Sequence, residues 1–194
     1  MAAGARNSLV PSVTSDEIAK HRAIIVDCNL LVAWSSAKTS ATDRDRLDFF
    51  LESASKHKQK IIIPMPVLAE FLVRTDAATA EWLAALERKS AVEIAPFDRM
   101  AAVDCALLNR AAIGSGDKKD GLDEPWQKIK IDRQIVAIGK SRSATLVVSD
   151  DKGIRNNALR CGMLALTIAE LPQSPESAQS VIPGLGKPAP KTKK

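Results

Sequence analysis

Soft-metal and redox ligands are scarce in this chain: it has three cysteines, two histidines and no CxxC pair. Cys28, Cys105 and Cys161 form an odd set at wide spacing, which excludes a disulfide framework and a thiolate zinc site. Buried hydrophobes are the expectation for all three. Long apolar runs are also missing. The longest, around Ile61 to Ala69, is interrupted by Pro64 and Pro66, whereas a bilayer crossing needs about 20 apolar residues. No membrane span is expected. The first twenty residues lack a hydrophobic stretch behind a basic start, so no secretion signal is read and a cytoplasmic location is predicted. The acid–base imbalance is small and local: the formal charge is +5, and the last twelve residues supply four lysines and no acid. The rest is nearly neutral, and the basic tail reads as a solubility or weak polyanion-contact feature.

What is present is a length of 194 residues with 45% hydrophobic residues, enough for one core. Short apolar runs at Ala23–Val26, Ile61–Ile63 and Thr145–Val148 read as strands buried on both faces, and Ala91–Ala95 and Met163–Thr167 read as further strands. Between them, helical spacing appears over Asp43–Lys56, Val67–Arg74 with Pro66 in its first turn, and Ala77–Lys89. Further helices are read from Asp98 as N-cap to about Ala112, over Ile129–Lys140, and over Lys152–Arg160 with a Gly162 stop. A loop is expected after Asp27, and Gly114–Gln127, rich in glycine and charge, reads as an exposed insertion. Strand–helix alternation of this kind predicts a three-layer α/β/α sandwich with a central parallel sheet. The domain is expected over 23–171, between a loose leader, 1–22, with a short helix at Ser15 to Lys20, and a disordered Pro/Lys-rich tail, 172–194.

Ligands in such sheets gather outside the carboxyl ends of the strands. Asp27 follows the first strand, Glu70 lies just after the second, Asp132 opens a helix, and Asp150-Asp151 follow the fourth. Singly, these acids read as an Asx turn, an exposed helix position, a dipole-favoured charge and a cap. Jointly, they suit a hard divalent cation such as Mg2+ or Mn2+, because clustered carboxylates need a cation or a proton. Neither His21 nor His57 lies near an acid in sequence, so activation of water would fall to such an ion.

At these residues the chain resembles the PIN-domain family of metal-dependent ribonucleases, from about Ala23 to Leu171. The matching motifs are IIVDCNLLVAW, with Asp27 and Asn29; IIIPMPVLAEFL, with Glu70; KIDRQIVAIG, with Asp132; and TLVVSDDKGIRNNAL, with Ser149 and Asp151. The resemblance implies that Asp27, Glu70, Asp132 and Asp151 hold Mg2+ or Mn2+ for RNA hydrolysis, with Asp150 as an alternative ligand. Asn29 and Ser149 are implied to orient carboxylates or water. It further implies RNA as substrate and, for toxin-like members, an antitoxin partner; a homodimer is a further expectation. A non-cleaving RNA-binding or scaffold module is the alternative. The leader, the insertion and the lysine tail depart from compact members of the family. Lys130 and Arg133 are candidate phosphate contacts beside Lys118, Lys119 and Lys128, and Trp126 is either a base-stacking platform or an anchor for its loop.

Overall fold

The structure is a computed structural model and describes residues 13–180. Five strands, β1 (Ala23–Val26), β2 (Lys60–Pro64), β3 (Val92–Ala95), β4 (Leu146–Val148) and β5 (Leu164–Leu166), form one parallel sheet in the order β3-β2-β1-β4-β5. Register is set across the centre by Ile25 opposite Ile62 on one side and Val147 on the other. Every residue of β1 and β4 is buried, which is why these strands read as unbroken β-branched and aliphatic runs rather than alternating ones.

The helices are α1 (Ser15–Ile18), α2 (Cys28–Ser35), α3 (Ala41–Lys56), α4 (Met65–Leu72), α5 (Ala77–Glu87), α6 (Arg99–Gly114), α7 (Trp126–Ser141), α8 (Lys152–Arg160) and α9 (Pro175–Ser180). Right-handed crossovers put α2–α5 on one face of the sheet and α6–α8 on the other. The packing agrees: α6 lies along α7 and α7 along α8, while α2 packs on α3, α4 and α5. Helix α4 also reaches α7. Close seating of α7 on the sheet depends on Gly139, where a Cβ would overlap the side chain of Ile25. Gly162, at φ +74°, ends α8 as expected.

Four boundaries differ from the sequence reading. Asp27 does not open a loop. It caps α2, whose Leu30, Leu31 and Trp34 are buried, and this stripe of one helical turn was read as irregular because it begins at the cap itself. Residues 13–22 are not loose: α1 carries a Thr14–Glu17 capping box, Ile18 joins the core, and the Gln59 amide donates to the carbonyls of Ile18 and His21. The chain beyond 172 is at first tied down, since Asp45 of α3 accepts from the Ser174 and Ser177 hydroxyls ahead of and within α9. Residues 1–12 and 181–194, with the remainder of the predicted leader and tail, lie outside the described residues. The insertion is shorter than predicted, because α6 runs on to Gly114 and α7 starts at Trp126 behind Pro125.

Candidate functional site

Strands β1 and β4 are neighbours, and the chain leaves them toward opposite sides of the sheet, which opens a crevice at their carboxyl ends. Asp27 and Ser149 are the residues that follow these two strands. Asp27 is buried and accepts from the Leu30 N–H at 2.9 Å through one oxygen and from the Ser149 hydroxyl through the other. The Ser149 oxygen in turn accepts from the Asp151 N–H at 3.0 Å. One buried hydroxyl thus fixes the geometry of two acids from two strands. Asp151 caps α8, accepting from the Gly153 and Ile154 N–H groups at 2.7 and 3.1 Å.

Asp132 arrives from α7. Since that helix begins at Trp126, Asp132 sits in its second turn rather than at its start, and the dipole explanation for its charge falls away. It is only 4% exposed. Its partner is Lys128, one turn earlier, whose ammonium lies 3.2 Å from Asp132 Oδ2 and 3.0 Å from Asp151 Oδ2. Gly153 lets α7 and α8 approach here: a Cβ on it would stand 2.5 Å from Asp132 Oδ2 and 3.0 Å from Asp151 Oδ1. Glu70, on α4, completes the set. Val67, Leu68 and Phe71 turn into the core, and this leaves Glu70 exposed on the opposite face, aimed at the same space.

Asp27, Asn29, Glu70, Asp132 and Asp151 line a single cavity of about 350 Å³, together with Cys28, Lys128 and three isoleucines. Asn29 is exposed in the first turn of α2. Asp150 points elsewhere and accepts from the Ile168 N–H at 3.1 Å, so of the two consecutive acids it is Asp151 that reaches the cavity.

Burial governs the electrostatics. Desolvation pushes the Asp27 carboxyl up to about 6 against its bonds from Ser149 and Leu30, with Asp150 and Asp151 adding repulsion. Desolvation likewise takes Asp132 up to about 6, opposed by Lys128. At Asp151 burial also pushes upward, but Lys128 and the two cap N–H groups outweigh it and hold the carboxyl below its ordinary value. Burial, then Glu70 and Asp27, raise the Cys28 thiol to about 11, so it stays protonated and inert.

The residues expected to touch substrate are placed differently. Arg133 is 1% exposed and donates to Asn109 Oδ1 at 2.8 Å, to the Lys118 carbonyl at 2.7 Å and to Asp120 at 2.5 Å. A guanidinium so committed does not meet a phosphate; it staples the insertion to α6 and α7. Asp120 also pairs with Arg160 of α8. Trp126 is half-buried at the start of α7, with Lys118, Lys130 and Arg133 within 5.4 to 5.9 Å of its ring. Its ring holds the insertion through cation–π contacts, and neither it nor Lys130 lines the acidic cavity. The residues whose place in the site the sequence did not disclose are Gly153 and the bridging Lys128. Their signals were a glycine directly inside an Asp-capped helix and a lysine four residues before a buried acid.

Whether a divalent ion suits this cavity is decided by its donors. All are hard oxygens, the preferred ligands of Mg2+ and Mn2+, and two of them already share one cationic group. Among the described residues no group of three His, Cys, Asp or Glu side chains stands close enough to hold one ion, and Lys128 lies between two of the acids. The donor set fits; its closing would require side-chain movement.

No family model and no curated protein matches the chain. Solved structures do. It is similar to VapBC2 from Rickettsia felis, bound to a DNA fragment from their promoter, at 16% identity and TM-score 0.54, over 75% of this chain and 98% of that one. DNA-bound VapBC from Salmonella typhimurium aligns at 16% identity and TM-score 0.46, over 75% and 97%. With the 3-2-1-4-5 parallel sheet and the first of these likenesses, the chain has the α/β/α fold of a PIN domain.

Proposed function

We propose that this chain is a divalent-cation-dependent ribonuclease of the PIN type. One observation carries the reading: four carboxylates from four separate segments, Asp27, Glu70, Asp132 and Asp151, line a single cavity at the switch point of a parallel sheet. Asp27, Asp132 and Asp151 would hold Mg2+ or Mn2+, with Glu70 acting directly or through water. When bound, the cation supplies Lewis-acid polarisation of the scissile phosphate and activation of the attacking water. The protein's part is positional. Ser149 ties Asp27 to Asp151, and Gly153 admits Asp132 beside Asp151. Asn29, exposed on the cavity wall, is placed to orient water or a phosphate oxygen. Products carry a 5′-phosphate and a 3′-hydroxyl.

The related expectation is a toxin with a small antitoxin covering the acidic cavity, prompted by the likeness to VapBC2. A homodimer belongs to the same reading. Expression of the chain in cells should then arrest growth, and Asp27→Asn should relieve the arrest; unchanged arrest by Asp27→Asn contradicts the assignment. A non-cleaving RNA-binding or scaffold module is favoured by one fact: Lys128 already satisfies Asp132 and Asp151 without a metal. That reading predicts RNA binding that persists in EDTA and ignores acid-to-amide substitution.

A further inference from the structure

We propose that Lys128 is the built-in counter-ion of the acidic site, seated where a divalent cation would bridge Asp132 and Asp151, so that cation entry and Lys128 withdrawal are one exchange. The inference rests on the reading of the cavity as a cation site. Its geometry is direct. The ammonium stands 3.2 and 3.0 Å from one oxygen of each acid, and those acids come from different helices, α7 and α8. Without a positive charge between them, two partly buried carboxylates would repel.

Gly153 borders the seat: a methyl group there would lie 3.4 Å from the ammonium and 2.5 Å from Asp132 Oδ2. An ammonium and a divalent ion in the same space would repel each other. Departure is open, however. The Lys128 side chain is 36% exposed while Asp132 is 6% exposed, so the acid is fixed and the lysine has solvent on one side. Its four-carbon stem gives the ammonium a flexible swing from a rooted helix turn. Lys128 thereby sets the cation concentration at which the site fills. It also keeps the metal-free carboxylates together, making it a positioning residue rather than a catalytic one.

Titration calorimetry of the full chain with Mn2+ alone, without RNA, tests the exchange. Lys128→Met is expected to bind Mn2+ roughly three- to tenfold more tightly than the wild type, the range that two partly exposed ion pairs represent. Lys128→Arg keeps the competing charge and is expected to stay near the wild-type affinity. A gain of affinity cannot come from loss of fold, and Lys128→Gln repeats the measurement should the methionine variant be unstable. Without metal, Lys128→Met is expected to melt below the wild type and to show the larger rise on adding Mn2+. Wild type and both neutral variants binding Mn2+ equally would overturn the exchange while leaving the cation site standing. Absence of binding in all of them would overturn both.

Discussion

At the scale of single residues, the two raised acids make a pH-dependent claim. Asp27 and Asp132 titrate near 6 in the folded protein against 3.8 as free groups, so the folded state holds their protons longer than the unfolded state does. Their contribution to the stability of the metal-free protein therefore falls as pH rises from about 4 to above 6, by on the order of 2 kcal/mol per acid. Asp151, held below its ordinary value, contributes in the opposite sense: its stabilisation is present above about 4 and lost on further acidification. In thermal melts in EDTA the wild type should lose stability relative to Asp132→Asn between pH 4 and 7. A wild type that gains on the variant over that interval would contradict the burial argument. The same buried acids explain why the site was legible in part. The motifs single out both Asp132 and Glu70 without disclosing their burial: Asp132 is 4% exposed on α7, whereas Glu70 is exposed on α4, a distinction that only helical phase and packing make.

At the scale of elements, the insertion between α6 and α7, which reads in the sequence as a loop able to offer cations to RNA, is pinned to α6 and α7. Arg133 departs furthest from its sequence reading, because it pairs with Asp120, thirteen residues earlier, across a turn whose path the sequence does not disclose. Arg133→Met should cost about 2–4 kcal/mol of stability by leaving Asp120 and the Lys118 carbonyl short of a donor, while KM for RNA stays unchanged. A raised KM at an unchanged melting temperature would restore the phosphate contact. Helix α7 supplies a second test. Gly139→Ala drives a methyl into Ile25 and should cost about 1–3 kcal/mol, read by denaturant unfolding. The strands and most helices were visible because buried parallel strands and amphipathic helices write their burial into adjacent residues. Helix α2 is not, since it is only eight residues long and its buried stripe begins at the cap.

At the scale of the whole molecule, the order of strands brings the acids together. No spacing in the chain relates Asp27 to Ser149 and Asp151, yet strands β1 and β4 lie side by side, and one hydroxyl joins the residues that follow them. Four acids that are distant in sequence thus open on one cavity, and the proposed chemistry depends on their acting together. Cleavage of a 5′-labelled RNA by the purified chain in Mn2+, in EDTA, and with Asp132→Asn tests this most directly. The account predicts products with 3′-hydroxyl ends in Mn2+ alone, and a loss of at least about a hundredfold in the variant, the scale of removing one electrostatic contact to the transition state. Cleavage that survives EDTA, or an Asp132→Asn protein as active as the wild type, would contradict it.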